Sequence, residues 1–377
     1  MTQTRRLGVG LIGSGFMGRT HAFAFLNVGR VFALPVAVEL EVLADASEDL
    51  AARAAASLGF RRATGDWRTL IADPAVHIVA ITTPNTLHRE MALAAIAAGK
   101  HVYCEKPLAP TAAEAREMAE VAERAGIVTA VGFNYLKNPM FRLAREIIAS
   151  GEIGEVRDFQ GIHAEDYMAD PDAPWTWRLD PKGGGGALAD IGSHIIAAAR
   201  YLVGPIERVQ GDVATLVASR PVAQGAGARR PVQVDDIARA HVRFANGATG
   251  TLEANWIASG RKMRLDFEVT GSKGALAFSQ ERLNELRLYH ADDPAGRRGF
   301  RTIFAGPEHP PYGAFCVAGG HQIGFNDLKT IEVYDLLRAI AEQATGHADF
   351  REGQAVAEVI EAIYRSAREH RWVNVAG

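Results

Sequence analysis

Cysteine is scarce in this chain, and its scarcity excludes two structural classes. The 377 residues contain only Cys104 and Cys316. Two cysteines so far apart provide neither a disulfide framework nor the ligand spacing of a zinc site. We therefore expect no metal, and a fold held by its hydrophobic core in a reducing compartment, the cytoplasm.

Long apolar runs and an excess of basic residues are also missing. No stretch approaches the length of a membrane span, and the N-terminal MTQTRRLGVGLIGSG is not typical of a secretory signal. The net charge is -3 without any basic run, so nucleic acid is not an expected partner. At 377 residues the chain exceeds what one core usually supports, which favours two domains.

The first part of the chain alternates apolar strands with helical segments. The runs LGVGLI, VHIVAIT and HVYC are typical of buried parallel strands. The helix SEDLAARAAASLG between two of them has Ser47 as a predicted N-cap and Gly59 as its stop. The pattern predicts an α/β fold, with a doubly wound parallel Rossmann sheet over residues 1–134.

A glycine motif follows the first predicted strand. Gly13, Gly15 and Gly18 form G-x-G-x-x-G before a helix that we expect to begin near Arg19. Such glycines allow a tight turn and a close approach of the backbone to a pyrophosphate at the start of the helix. As the first β-α turn of the chain, the motif predicts dinucleotide binding by these glycines and by the intervening Phe16 and Met17.

The carboxylate of Asp45 ends the second predicted strand, VELEVLAD. An acid in this position accepts hydrogen bonds from the ribose hydroxyls, although it could instead cap the next helix. The following residue is Ala46 and not an arginine, so no cation is placed to bind a 2′-phosphate. We predict that the cofactor is NAD and not NADP.

Two further turns leave the same edge of the predicted sheet. In TPNTLH we expect Thr83, Pro84, Asn85 and His88 to line the nicotinamide half of the site, although ordinary loop chemistry explains them equally well. The turn EKP, residues 105–107, follows the strand HVYC. Taken alone, Lys106 is an exposed loop lysine. Because doubly wound sheets bind ligands at this edge, however, Glu105 and Lys106 become candidates for cofactor binding.

From about residue 135 the pattern changes. Strand-like segments at 154–165, 207–219, 236–257 and 264–279 contain the hairpin turns Asn246-Gly247 and GSKG. They predict a second, α+β domain over 135–377 with a large, mainly antiparallel sheet, which supplies substrate binding and the oligomer contacts.

One helix of this domain, predicted over 185–204, combines small apolar residues with two polar ones. Asp190 and His194 are spaced i, i+4, which places them on one helical face. A carboxylate beside an imidazole orients the ring and raises its basicity. A satisfied Asp-His pair in a core helix is the alternative, but the four glycines at 183–186 favour a functional role because they permit close backbone approach to something large.

Together and in order, the motifs GLIGSGFMG, TPNTLH, EKP and GGGALADIGSH resemble the Gfo/Idh/MocA family of NAD(P)-dependent sugar and polyol dehydrogenases. The resemblance covers essentially the whole chain and implies that Lys106, Asp190 and His194 are catalytic. It also implies a homotetramer. Many members carry an aspartate three residues after the histidine, where this chain has Ala197.

Within the family, WTWR and the segment beyond residue 297 resemble the inositol dehydrogenase and levoglucosan dehydrogenase branch. We expect a cytoplasmic enzyme that oxidises a secondary hydroxyl of an inositol or related aldose. His194 would act as base, Lys106 would stabilise the alkoxide and Asp190 would orient the pair. The sequence leaves open which of His194 and Lys106 accepts the proton first.

The predicted substrate-binding residues are the same three together with two loop residues, Arg178 and His321. An anhydrosugar is the alternative substrate. The alternative of another class is a non-catalytic sensor of NAD and sugar on the same fold. Retention of Lys106, Asp190 and His194 disfavours the sensor.

Overall fold

The computed structural model describes residues 5–225 and 227–375. Contacts group these residues into two compact units. The first unit ends at Lys137 and also includes Ile323–Gln354, and the second comprises Asn138–Gln322 and the chain from Ala355 onward. The domain ranges 1–134 and 135–377 stay a prediction. The contacts assign Ile323–Gln354, from the C-terminal part of the chain, to the first unit.

Strands alternate with helices in the first part of the chain, and strands predominate in the part that follows. The strands are β1 (Arg5–Ile12), β2 (Val36–Ala44), β3 (Arg62–Thr64), β4 (Ile78–Ile81), β5 (His101–Cys104), β6 (Thr129–Val131), β7 (Val156–Ala164), β8 (Ile206–Ala214), β9 (Ser219–Pro221), β10 (Arg229–Pro231), β11 (Ile237–Phe244), β12 (Thr249–Asn255), β13 (Arg264–Gly271), β14 (Gly274–Ser279), β15 (Glu285–His290), β16 (Arg301–Phe304) and β17 (Val373–Asn374). The helices are α1 (Phe16–Val31), α2 (Glu48–Leu58), α3 (Trp67–Ala72), α4 (His88–Ala97), α5 (Ala112–Arg124), α6 (Pro139–Ala149), α7 (Ser193–Val203), α8 (Phe325–Glu342) and α9 (Phe350–Glu369). A π-helical turn, Leu188–Gly192, directly precedes α7.

The first unit is built on a parallel sheet. Its six strands, counted over the described residues, lie in the order β3-β2-β1-β4-β5-β6, and every pair is parallel. The order reverses between β1 and β4, which is the switch point where doubly wound sheets bind nucleotides. The predicted Rossmann sheet is confirmed.

Local sequence signals set the helix ends of this unit. The Ser47 side chain accepts a hydrogen bond from the Leu50 amide, and Gly59 ends α2 with φ of 82°. Thr111 caps α5 in the same way. Helix α1 begins at Phe16, three residues before the predicted start, and the sequence pattern does not predict β3 and α3.

Helix α8 completes the core of the first unit although it comes from the C-terminal part of the chain. Val333, Leu336 and Leu337 are buried in the same apolar cluster as the β1 residues Leu7 and Val9. Sequence periodicity gives no indication of which sheet such a helix covers, so it does not predict this placement.

The second unit contains a larger sheet. Its nine strands in the described chain lie in the order β16-β15-β14-β13-β7-β12-β11-β8-β17. Strand β7 pairs in parallel with β12, and the other neighbours are antiparallel. The mainly antiparallel sheet is therefore confirmed, as is the β11–β12 turn at Asn246-Gly247, where Gly247 has φ of 86°.

The start of the π-helical turn is held by a buried carboxylate. Asp235 accepts hydrogen bonds from the amides of Gly186 (3.1 Å) and Leu188 (2.8 Å) and from the Tyr364 hydroxyl (2.5 Å). A Cβ at Gly186 would overlap the Asp235 carbonyl oxygen, and one at Gly185 would overlap the Tyr364 hydroxyl. The glycines thus allow close approach to the chain's own residues. The expectation that they make room for a large ligand is wrong for these two positions.

We predict that Gly186→Ala destabilises the protein by about 1–3 kcal/mol, because the added methyl group forces Asp235 away from the turn that it caps. Thermal or urea unfolding would measure the loss. Gly296→Ala is the matched control, since a Cβ there meets nothing within 4 Å, and should change stability by less than about 0.5 kcal/mol. Equal stability of the two variants would contradict the prediction.

Candidate active site

The glycine motif lies between β1 and α1, at the switch point of the parallel sheet. Gly13 has φ of 95°, which favours glycine, and a Cβ at Gly18 would overlap the Gly13 carbonyl oxygen. Gly15 precedes α1 as its N-cap, and a Cβ there meets nothing within 4 Å. The helix start is therefore open to a ligand, and its N–H groups suit a pyrophosphate. Of the intervening residues, Phe16 is 72% exposed and Met17 is half-buried.

Asp45 directly follows β2, as predicted for a ribose-binding acid. Its Oδ2 accepts hydrogen bonds from the amide (2.9 Å) and the hydroxyl of Ser14, and its Oδ1 accepts one from the Ala46 amide (2.7 Å). The carboxylate is thereby fixed to the glycine loop. Ser14 is not among the predicted site residues, although its position between Gly13 and Gly15 in the glycine motif indicates that it lies at the site.

The TPN turn follows β4 and is tied to the turn after β5. His88 is fully buried, with its Nδ1 3.0 Å from the Pro107 carbonyl oxygen and its Nε2 3.0 Å from that of Thr83. Burial lowers the pKa of His88 below 6.5. This geometry gives His88 a linking role between the two turns. Contact of the cofactor with His88, Thr83, Pro84 or the buried Asn85 stays a prediction.

Glu105 is the centre of a buried group that we call the Glu105 cluster: His21, Tyr103, Glu105, Lys329 and Glu332. Its Oε1 lies 2.8 Å from His21 Nε2 and 2.9 Å from Lys329 Nζ. Lys329 also donates to the Tyr103 hydroxyl (3.0 Å) and lies 2.8 Å from Glu332. The Tyr103 hydroxyl donates to Glu332. All five side chains are buried, so each charge among them must be compensated by its neighbours.

The cluster fixes which of its members are charged. Burial and the Lys329 ammonium lower the pKa of His21 to about 4, so the ring is neutral at pH 7. Burial alone would raise the pKa of Glu105, but Lys329 and His21 outweigh it and hold that pKa well below its usual value. Burial likewise opposes the charge of Lys329, yet the two carboxylates raise its pKa. Glu105 and Lys329 therefore form a buried ion pair, with 2.9 Å between Oε1 and Nζ.

Lys106 directly follows Glu105 in the chain. Glu105 is buried, whereas Lys106 is half-buried. Its amide donates to Glu105 Oε2 at 3.2 Å. The peptide bond between Lys106 and Pro107 is cis. The sequence thus placed Lys106 correctly at the carboxyl end of a parallel strand, whereas its direct contact with NAD, and that of Glu105, stay predictions.

In the second unit, Asp190 belongs to the π-helical turn and His194 to the first turn of α7. The i, i+4 spacing places two residues on one face only in a continuous α-helix. Because Asp190 lies in a π-helical turn, its expected placement on the same helical face as His194 does not follow from the spacing. Asp190 Oδ2 accepts hydrogen bonds from the Tyr167 hydroxyl (2.9 Å) and from Arg178 Nε (3.1 Å). π-Helical turns occur frequently at functional sites.

His194 lies beside a second histidine that is not among the predicted site residues. It is 7% exposed, and its ring centroid is 5.5 Å from that of His163. His163 Nδ1 bonds the Ile191 carbonyl oxygen (2.8 Å) and its Nε2 lies 2.9 Å from Glu165. Tyr167 was also missed. His163 and Tyr167 both belong to the polar run HAEDY at the carboxyl end of β7, and this run is the sequence feature that indicates them.

The two predicted substrate-binding loop residues differ in their surroundings. The guanidinium of Arg178 lies 4.5 Å from the centroid of the Trp177 ring, in addition to its bond to Asp190. The structure therefore brings Arg178 to the Asp190 site. His321 lies on an exposed loop between β16 and α8, and its role stays a prediction.

Comparison with known proteins decides the family. Residues 7–133 match the model "Oxidoreductase family, NAD-binding Rossmann fold", and residues 141–277 match the "GFO/IDH/MocA C-terminal domain". The chain belongs to the Gfo/Idh/MocA family. It is an NAD-dependent sugar or polyol dehydrogenase, and the open N-cap at Gly15 together with Asp45 fits the cofactor.

Relatives in this family refine the comparison. The chain is 42% identical to levoglucosan dehydrogenase of Pseudarthrobacter phenanthrenivorans, over 98% of both sequences. A solved levoglucosan dehydrogenase in complex with NADH and L-sorbose superposes with a TM-score of 0.96 at 42% identity, covering 99% of each chain. Myo-inositol 2-dehydrogenase of Thermotoga maritima is 29% identical over 78% of this chain and 81% of its own. The comparisons favour the anhydrosugar alternative over the inositol expectation.

Two further features are absent from the described residues: a membrane-spanning helix and a cluster of metal-ligating side chains. None of the helices in residues 5–225 and 227–375 is long and apolar enough to cross a membrane. Across the same ranges, no group of three or more histidine, cysteine or carboxylate side chains could hold a metal ion.

We predict that Asp45→Ala raises the Michaelis constant for NAD about tenfold to a hundredfold, the loss expected for hydrogen bonds to a charged group. Turnover at saturating NAD should fall less. Steady-state kinetics with NAD and NADP would measure both values. Asp49→Ala, which removes an exposed carboxylate from the first turn of α2, is the control and should behave as the unmodified enzyme. An unchanged Michaelis constant in Asp45→Ala would count against the ribose-binding role.

Proposed function

We propose that this enzyme oxidises a secondary hydroxyl of an anhydrosugar of the levoglucosan type to a ketone, with NAD as the hydride acceptor. The observation that carries the proposal is the similarity to levoglucosan dehydrogenase over 98% of both chains. An inositol is the second candidate, supported by the more distant myo-inositol 2-dehydrogenase.

The proposed chemistry assigns separate tasks to three residues. His194 accepts the hydroxyl proton, and the Lys106 ammonium stabilises the negative charge that develops on the oxygen. Asp190, whose carboxylate accepts hydrogen bonds from Tyr167 and Arg178, is assigned the task of orienting the base. Bound NAD supplies the acceptor for the hydride, so the alcohol loses one proton and one hydride and becomes the ketone.

Each of these tasks has support in the unit to which the residue belongs. Lys106 follows a strand end at the nucleotide-binding edge of the parallel sheet, and its turn is fixed by Glu105. Asp190 and His194 lie at a π-to-α junction whose start is capped by Asp235.

The surroundings of Asp190 suit a neutral sugar. The Asp190 carboxylate, the Arg178 guanidinium and the Tyr167 hydroxyl offer both acceptors and donors to hydroxyl groups. Arg178 and Trp177 also form a flat pair of side chains, and Trp177 is 38% exposed. Flat aromatic surfaces pack well against the C–H faces of a sugar ring.

We expect levoglucosan to give the highest kcat/KM in a panel that also contains myo-inositol, scyllo-inositol, D-glucose and D-xylose. The margin should be at least about tenfold, the discrimination that differences in pocket fit usually supply. NADH absorbance would measure each rate. A highest kcat/KM with an inositol would overturn the anhydrosugar proposal in favour of the second candidate.

For the catalytic assignment, we predict that Lys106→Met lowers turnover on the order of a hundredfold to a thousandfold at nearly normal stability, because one preorganised charge is lost. His194→Ala should have a similar effect. The double variant should lose much less than the product of the two, since both residues act on the same proton transfer. The control is Lys273→Met at an exposed position of the second unit.

Turnover and melting temperature measured on all four variants test this assignment. Normal turnover in Lys106→Met would return Lys106 to an ordinary loop lysine.

A further inference from the structure

The EKP turn is held by side chains from several parts of the first unit. Glu105 Oε2 accepts the Lys106 amide at 3.2 Å, and His88 bonds the Pro107 carbonyl oxygen at 3.0 Å. A Cβ at Gly132 would lie 2.6 Å from Glu105 Oε1, so the backbone that follows the next strand closes directly on this carboxylate. The position of Lys106 therefore depends on where the Glu105 side chain lies.

Lys329 is the charged partner that reaches Glu105 from α8. The side chain is fully buried, and an ammonium has three N–H donors. Its three close partners are Glu105 at 2.9 Å, Glu332 at 2.8 Å and the Tyr103 hydroxyl at 3.0 Å. Each donor thus has one acceptor within the Glu105 cluster, which fixes the direction of the ammonium group.

The second partner of the same carboxylate oxygen does not supply a charge. His21 is neutral at pH 7, because burial and Lys329 lower its pKa to about 4. Its Nδ1 has no hydrogen-bond partner among the described residues. The neutral ring can donate to Glu105 through Nε2 but cannot neutralise it. Lys329 is therefore the cation within the cluster that compensates the buried Glu105 carboxylate.

We propose that Lys329 is a positioning residue for Lys106: its ammonium holds the Glu105 carboxylate in the orientation whose second oxygen fixes the Lys106 amide. This inference rests on the proposed function, because it assumes that Lys106 acts on the substrate. It adds a residue from α8, more than two hundred positions later in the chain, to the machinery of the reaction.

Loss of the ammonium has a definite structural consequence. An unpaired Glu105 must either bind a proton or turn toward water, and in both cases the Lys106 amide loses its fixed acceptor. A displacement of about 1 Å at a reacting group can lower turnover about a hundredfold. The loss should appear mainly in kcat and less in the Michaelis constant for NAD, since the glycine loop and Asp45 are unchanged.

The first experiment compares Lys329→Met with a triple variant that removes all three ionisable partners, Glu105→Gln, Lys329→Met and Glu332→Gln. The single variant buries two unpaired carboxylates and can fail to fold. The triple variant contains none of the three charges and keeps similar volumes, which is often neutral for stability.

We expect the melting temperature of the triple variant to lie near that of the unmodified enzyme while kcat falls about tenfold to a hundredfold. The reason is that the side chain at position 105 then has neither its negative charge nor the hydrogen bond from residue 329, so the acceptor of the Lys106 amide is no longer held in place. Full turnover in the stable triple variant would overturn the proposal.

The second experiment asks whether the effect passes through Lys106. In a Lys106→Met background, the three substitutions should cause little further loss of turnover, because the side chain that they position is already gone. An equal fold-loss in both backgrounds would mean a general structural role and would overturn the proposal. If Lys106→Met itself retained full turnover, the proposed function of Lys106 would fail first, so the two failures are distinguishable.

The control is Lys137→Met, which breaks a different, partly buried contact of α8. Lys137 Nζ lies 2.7 Å from Asp335, and the Lys137 side chain is 8% exposed. This variant weakens the docking of α8 without touching the Glu105 cluster, and we expect kcat within about twofold of the unmodified enzyme. A loss of kcat as large as that of the triple variant would assign the effect to α8 as a whole and contradict the specific role of Lys329.

Discussion

Glu105 carries a negative charge at a place from which water is excluded, and a buried charge is tolerated only when an opposite charge and hydrogen bonds compensate it. The Lys329 ammonium at 2.9 Å and the His21 ring at 2.8 Å meet this requirement. Because these partners belong to α8 and α1, one carboxylate connects two helices to the end of β5. The edge of the sheet that receives the nucleotide is thus fixed by charge as well as by apolar packing.

Much of the first unit could be predicted because its signals are local. The apolar strands, the Ser47 cap and the Gly59 stop each depend on neighbours within a few residues. The glycine motif indicates a nucleotide site because it directly follows β1. The packing of α8 on this sheet could not be predicted. Val333 and Leu336 have the pattern of any amphipathic helix, and nothing local identifies the partner surface. Sequence alone therefore does not connect Lys329 with Glu105.

The candidate site in the second unit could be predicted by residue type but not by geometry. Asp190 and His194 are found by their spacing, whereas the π-helical turn between Leu188 and Gly192 depends on the distant cap Asp235. Tyr167 and His163 come from β7 and the loop after it, so their proximity to the helix is a tertiary contact. Arg178 is predicted from its place in a proline- and glycine-flanked loop that resembles the family, and the structure places its Nε 3.1 Å from Asp190 Oδ2. Its contact with the substrate stays a prediction.

The assignment of Ile323–Gln354 to the first unit has a consequence for biosynthesis. A ribosome releases the glycine loop, β5 and the EKP turn long before it has made Lys329. Until then the nascent nucleotide-binding region holds Glu105 and Tyr103 without the ammonium that they contact in the finished protein. The Glu105 cluster at the edge of this sheet can therefore be completed only after almost all of the second unit has been translated.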